Sequence, residues 1–250
     1  MIAVEKVSLS YDHLPVLHEV TLTLPKGGVT AIIGPNGAGK STLLSIIGRI
    51  LRADAGRVTL DGMDLAQAPG CAVARKLAVL RQDNHTNARL TVRDLVGFGR
   101  YPHSRGRLCA EDLRQINRAL EYLGLNDLAD RFLDQLSGGQ RQRAHIAMIL
   151  AQDTDYILLD EPLNNLDIRH AVGIMALIRR AAGELGKTIA VVMHDINIAA
   201  ACCDRIVVMK EGRVTAHGTP AEIMSGPLLS AVYETPIEVV AVKDRLLALY

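Results

Sequence analysis

Apolar Val20, Leu22 and Leu24 alternate with Thr21 and Thr23, a period of two that predicts a strand with one buried face, ended by Pro25, Gly27 and Gly28. A short antiparallel sheet is expected here, with the chain folded from about Val4. Residues 29–33 follow a different pattern. They form a continuous apolar and β-branched run, which predicts a central strand buried on both faces, and they lead through a glycine-rich turn into a helix from about Lys40. Residues 57–60 read as a strand closed by the Asp61-Gly62 turn, and residues 77–80 as another buried strand.

From about Asp83 to Asp155 the period lengthens to that of helices. Leu113, Ile116, Leu120 and Leu123 share one expected helical face, which Gly124 ends, and a second helix runs from about Gly139 to Ala151. Strand and helix then alternate: a strand over 156–159, a helix over 168–185, and strands over 189–193 and 206–209. Residues 237–242 and 245–249 read as a closing hairpin around Lys243-Asp244. The pattern predicts an α/β fold, with a parallel sheet, an N-terminal antiparallel β-subdomain and an inserted α-helical subdomain. One domain over 1–250 is expected. Its core takes residues 1–82 and 156–225, its helical insertion 83–155, and its C-terminal helix and hairpin 226–250. There is no internal repeat and no low-complexity linker.

Composition narrows the class. Of 250 residues 49% are apolar, which suffices for a packed core and excludes intrinsic disorder. No apolar stretch reaches the roughly 18 residues that span a bilayer. The richest, residues 188–203, is interrupted by His194, Asp195 and Asn197, and the N-terminus does not resemble a secretory signal. The chain is expected to stay on the cytoplasmic side. A net charge of +1 provides no general grip on nucleic acid or an anionic bilayer. Cys71, Cys109, Cys202 and Cys203 lack CxxC or metal spacing and read as reduced thiols. There is no Trp, and only two Phe and six Tyr, so Ala, Val, Ile and Leu must build the core and each aromatic becomes a candidate for a task.

Gly34-Pro35-Asn36-Gly37-Ala38-Gly39-Lys40-Ser41 fits G-x-x-x-x-G-K-[ST] between an expected strand and an expected helix, the context that distinguishes a phosphate loop from a chance glycine-rich turn. Such a loop turns backbone N–H groups toward a polyphosphate, and the helix N-terminus adds its partial positive charge. Lys40 is expected to neutralise the β and γ phosphates and the Ser41 hydroxyl to ligate Mg²⁺. The strand before Asp160-Glu161-Pro162 ends in two acids, and parallel strands present their C-terminal ends to ligands at one edge. Asp160 is expected to hold Mg²⁺ and Glu161 to polarise the attacking water as general base. His194 follows a strand that should reach the same edge, and Gln82 lies just beyond another.

Leu136-Ser137-Gly138-Gly139-Gln140 opens the second helix, with Ser137 placed to cap it. This is a second phosphate-binding helix start in one chain, best used on a nucleotide held by another copy. At this point the sequence resembles the ATP-binding cassette (ABC) family over nearly its whole length. The phosphate loop, Gln82, the LSGGQ signature, the acid-tipped strand, an Asp-loop ending at Asp167 and the switch His194 occur in the family's order. The resemblance implies a head-to-tail homodimer with ATP between Lys40 of one subunit and Ser137 and Gly139 of the other. It implies an ATP-binding set of Tyr11 on adenine, Val16 near ribose, the loop from Gly34 to Ser41 with Thr42, and Ser137, Gly138, Gly139, Gln140 and Asp167. Glu161, His194 and Gln82 are the implied catalytic group, and Ser41, Gln82 and Asp160 the implied Mg²⁺ ligands.

Without membrane helices of its own, such a subunit works through two separate transmembrane permeases, which the resemblance docks between Gln82 and Ser104, where Phe98 and Tyr101 lie. Residues 91–104, with Glu161-Pro162-Leu163-Asn164-Asn165-Leu166-Asp167, are similar to importers of ferric siderophores and to related haem and cobalamin systems. Asn164-Asn165 departs from the Ser-Ala common in cassettes while leaving Asp167 in place. Import of an iron(III)-siderophore is expected, with an extracytoplasmic binding protein, the ATPase being peripheral on the cytoplasmic side of the cell membrane. Haem or cobalamin import is the alternative cargo. A cassette acting on DNA or ribosomes is the alternative class; it is disfavoured by the absence of heptads, zinc spacing and a second cassette, and nucleic acid is not an expected partner. A cassette serving only as an ATP-binding regulator would not need Glu161 and His194.

Overall fold

In the computed structural model, which describes residues 1–82, 88–164, 166–243 and 245–250, the chain opens with a hairpin of β1 (Ile2–Tyr11) and β2 (Leu14–Leu24). Next come β3 (Gly28–Ile33), α1 (Lys40–Ile47), β4 (Ala55–Leu60) and β5 (Met63–Asp64). The middle of the chain holds α2 (Gly70–Ala74), β6 (Leu77–Leu80), α3 (Val92–Phe98), α4 (Tyr101–Ser104), α5 (Ala110–Tyr122) and α6 (Gly138–Ala151). After these follow β7 (Tyr156–Asp160), α7 (Ile168–Glu184), β8 (Thr188–Val192), α8 (Ile196–Cys202), β9 (Arg205–Lys210) and β10 (Arg213–Gly218). The chain ends with α9 (Pro220–Ile223), α10 (Gly226–Tyr233), β11 (Glu238–Val242) and β12 (Arg245–Leu249). Contacts divide it into two units, Met1–Ala68 with Ile178–Tyr250, and Pro69–Leu177.

The first unit carries an antiparallel sheet of order β2-β1-β4-β5. Its buried face keeps one sign of alternation only because the strands bulge. Ile2 and Val4 point inward, then Lys6 turns to positive φ and Val7 and Leu9 point inward; Glu19 does the same between Leu17 and Val20. One extra residue at each bulge restores the apolar set to the core side. The sheet starts at Ile2, two residues before the expected Val4, because the Met1 ammonium is anchored on the Asp61 carboxylate of the β4–β5 turn. In the same unit β3 pairs in parallel with β8 and β9, and β10 runs antiparallel to β9. Val29, Ala31, Ile32 and Ile33 are buried, as a strand covered on both faces requires. The terminal hairpin pairs from Val242 with Arg245 to Glu238 with Leu249. Asn197 of α8 fastens it through the Ala248 amide (2.8 Å) and carbonyl (3.1 Å). Asp244 of its expected turn lies outside the described residues.

The second unit contains the expected helical stretch together with the parallel pair β6–β7, registered from Leu77 with Tyr156 to Leu80 with Leu159. Helices α3, α5 and α6 pack on one another. One sequence expectation is corrected here. Ile116, Leu120 and Leu123 are buried, but Leu113 is 48% exposed and Asp112, at 3%, occupies the inner face instead. The reason is local: Asp112 is the third residue of α5, where its carboxylate accepts the Cys109 amide (3.0 Å) and the Arg100 guanidinium (2.9 Å). A carboxylate with those two partners is satisfied without water. Among the described residues no helix is long and apolar enough to cross a membrane.

Candidate functional site

In the first unit β3 delivers the phosphate loop at the C-terminal ends of its parallel strands. Ile32 registers with Val192, and the Met193 amide donates to Ile32 O (3.2 Å), so the loop at Gly34 and the exposed His194 leave the same sheet edge. Gly34 has φ 148°, and a Cβ there would stand 2.0 Å from Met209 O, so only glycine lets the loop pass the end of β9. Gly39, at φ 90°, forms the N-cap of α1 without any side-chain cap, and no acid stands in the first turn. The first-turn amides therefore form a positive helix end that no acid of its own turn neutralises. Lys40 is buried, its ammonium donating to Gly34 O and Pro35 O at 2.9 Å each. Ser41 and Thr42 are half-buried beside it.

The β2 strand lies against this loop. Val16 O would be 3.2 Å from a Cβ on Gly39, and Gly212 links the two by donating to Ala38 O (3.2 Å) while accepting from the His18 amide (2.9 Å). Val16 thus stands beside the loop. Tyr11, 45% exposed, ends β1 where Asp12 and His13 turn the chain at positive φ.

In the second unit β7 is buried throughout and ends at Asp160, itself buried. Glu161 follows at φ 49°, a left-handed conformation that a β-strand continuation would not allow and that redirects its side chain. Gln82, just past β6, donates from Nε2 to Glu161 Oε2 at 2.8 Å. The same oxygen accepts from Asn164 Nδ2, and the Asn164 amide closes a turn onto Glu161 O (3.2 Å). In the sequence Asn164 stands out only as a departure from the Ser-Ala pattern. Its position three residues after the acid, in a turn, is the signal that marks it. The neighbouring Asn165 lies outside the described residues.

The signature opens α6 as a capping box: the Gln140 amide donates to Ser137 Oγ (3.3 Å) and the Ser137 amide to Gln140 Oε1 (2.9 Å). The Gln140 side chain is therefore engaged in shaping the helix start. A Cβ on Gly139 would lie 2.3 Å from His170 Cδ2, so the His170 ring covers that glycine. His170 in turn meets Asp167, with its amide and Nδ1 both 2.8 Å from Asp167 Oδ1. These contacts hold the Asp167 carboxyl below the usual carboxylate range, the backbone amide contributing most. His170 is a second residue that sequence reasoning passed over.

Of the aromatics, Phe98 and Tyr101 are 54% and 63% exposed and so are not core filler. Tyr156 is fully buried, and Phe132 stacks under Arg89 with the guanidinium carbon 4.1 Å from the ring centroid. Burial pushes the Tyr233 hydroxyl up to about 12. Residues 83–87 of the expected docking stretch lie outside the described residues.

A family model described as ABC transporter matches residues 17–164. The petrobactin import ATP-binding protein YclP of Bacillus subtilis (strain 168) is 49% identical over 250 residues, covering 100% of this chain and 99% of the relative. The ferric enterobactin transport ATP-binding protein FepC of Escherichia coli (strain K12) is 41% identical over 231 residues, covering 92% and 85%. Among solved structures, the dimeric post-hydrolysis state of the ATP-binding cassette MJ0796 bound to ADP and Pi superposes with a TM-score of 0.78 at 31% identity, covering 88% of this chain and 99% of that one.

Proposed function

The chain belongs to the ABC transporter family, and from that premise we propose that it is the ATP-hydrolysing subunit of an importer that energises uptake of an iron(III)-siderophore through separate permease subunits. The observation that carries the hydrolytic role is Glu161, held by Gln82 and Asn164 at the end of the strand whose last residue is Asp160. The names of the two relatives, petrobactin import and ferric enterobactin transport, support an iron-chelate cargo.

In this reading the phosphate loop binds ATP through its backbone amides and Lys40, whose ammonium exchanges loop carbonyls for phosphate oxygens. Thr42 adds a hydroxyl beside Ser41, Tyr11 stacks on adenine, and Val16 flanks the ribose. The Ser41 hydroxyl, the Gln82 amide oxygen and the Asp160 carboxylate are each oxygen donors, the chemistry that suits Mg²⁺, and are the residues proposed to hold it. When bound, Mg²⁺ neutralises charge on the phosphates. Glu161 accepts the proton of the attacking water while the two amide donors on Oε2 orient its carboxylate. His194 stands at the γ-phosphate end of the loop's sheet edge.

Two copies are proposed to close head to tail, so that Ser137, Gly138 and Gly139 of one, shaped by Gln140, complete the site of the other near Asp167. The dimeric form of the MJ0796 cassette supports a pairing of two copies. Two permeases dock between Gln82 and Ser104 at the cytoplasmic face of the membrane, and an extracytoplasmic binding protein delivers the cargo. The test is genetic: deleting the gene should abolish growth on a ferric siderophore as iron source and spare growth on ample free iron. The wild-type gene should restore that growth and a Glu161→Gln copy should not. Undiminished growth of the deletion on every ferric siderophore, with growth lost instead on haem or cobalamin, would move the cargo to that compound.

A further inference from the structure

Arg100 is 5% exposed, and its guanidinium bridges two helices: Nε donates to Asp112 Oδ1 of α5 (2.9 Å) and Nη1 to Ala151 O at the end of α6 (2.8 Å). Ala151 O is one of the final carbonyls that a helix cannot satisfy internally, and a cation there also complements the helix dipole. Three residues on, His103 Nε2 lies 3.0 Å from Gln152 O, the next carbonyl. Gly99 brings the two segments into backbone contact, since a Cβ there would stand 2.0 Å from Met148 O although its φ is an ordinary helical value. The elbow between α3 and α4 is thus keyed to the last turn of the signature helix by three successive attachments. That elbow is also the segment that exposes Phe98 and Tyr101.

The attachments continue toward the hydrolytic acid. The Gln152 side chain donates to Ala74 O (2.6 Å) and Leu77 O (3.2 Å), at the start of β6. Beyond the other end of β6, Gln82 holds Glu161. At the opposite end of α6 stands the Ser137 capping box, one rigid helix of about 20 Å away.

We propose that Arg100 is a positioning residue that links occupancy of the Phe98–Tyr101 surface by a permease to the placement of the signature helix and of the Gln82–Glu161 pair; the proposal rests on the importer reading above. A buried ion pair is a poor device for stability alone, because apolar residues of similar size generally replace it without loss. It does impose one geometry, since a planar guanidinium with two fixed partners holds three helices in a single arrangement.

The test uses the ATPase assembled with its permease in lipid vesicles, with the loaded binding protein present. The double variant Arg100→Met with Asp112→Leu removes the pair while preserving apolar packing. It should melt near the wild-type temperature, and its detached dimer should hydrolyse ATP within about twofold of wild type. Its binding-protein-stimulated hydrolysis and its transport should fall about three- to thirtyfold. His103→Ala, a half-buried site that leaves the fold intact, should weaken stimulation in the same direction by about twofold, and serves if the double variant proves unstable. Stimulated turnover and transport at the wild-type level in either folded variant, or a parallel loss of detached and stimulated activity, would overturn the proposal alone. Failure of the wild-type subunit to respond to any permease would overturn the importer reading and the proposal together.

Discussion

Gln82 and Glu161, 79 residues apart in the chain, meet through a single hydrogen bond of 2.8 Å from the amide Nε2 to the carboxylate Oε2. The bond ties the residue beyond β6 to the residue beyond β7, two parallel strands in register. Any movement of the chain at Gln82 is therefore felt at Glu161, the acid proposed to activate water.

Glu161→Gln keeps the size of the side chain and both amide-donor positions but cannot accept a proton. ATP affinity should be retained while steady-state hydrolysis falls by about 10² to 10⁴. Asn164→Ala removes only one of the two donors on Glu161 Oε2, and kcat should fall by roughly tenfold with KM little changed. Phosphate-release kinetics on the two variants measure both, and an Asn164→Ala enzyme with unaltered kcat would leave Asn164 as a turn residue only.

Two glycines of the phosphate loop should respond differently to a methyl group. At Gly34 a Cβ collides with Met209 O at 2.0 Å, whereas at Gly37 nothing lies within 4 Å. Gly34→Ala should cost about 1–3 kcal/mol from the forced backbone shift, and a thermal melt should show the loss directly. Gly37→Ala carries only the strain of its positive φ, so it should melt closer to wild type and show its effect in ATP affinity.

Tyr11→Ala should weaken ATP binding by about 1–3 kcal/mol if the ring stacks on the base. Because stacking does not read base edges, GTP should weaken by a similar factor. Calorimetric titration with both nucleotides tests this, and unchanged affinity would return Tyr11 to the role of an exposed strand residue.

Acid should expose the buried Arg100–Asp112 pair. The Cys109 amide, with Arg100 beside it, holds the Asp112 carboxyl at about 2, below its ordinary 3.8. A group with a depressed folded-state value stabilises the protein above its unfolded value and loses that contribution as pH falls through the folded one. Asp112→Asn should therefore be less stable than wild type near neutral pH. The gap in denaturant midpoint should narrow progressively from about pH 4 toward pH 2.

The sequence by itself determined everything carried by neighbouring residues: the phosphate loop and its helix, the Ser137 cap, the buried run of β3, the acid-tipped β7 and the terminal hairpin. In each case the information lies within one turn or one strand, where backbone geometry and period dictate the outcome. The tertiary structure decided the rest. It turned Leu113 outward and Asp112 inward because Arg100, twelve residues earlier, needed a partner at α5. It placed His170 over Gly139, a pair in which neither residue's own pattern names the other. It also bulged β1 and β2 at Lys6 and Glu19 to keep one face apolar. A polar side chain's partner is selected by desolvation, which penalises any buried donor or acceptor left unpaired, and which groups share that burial is known only once the elements have packed.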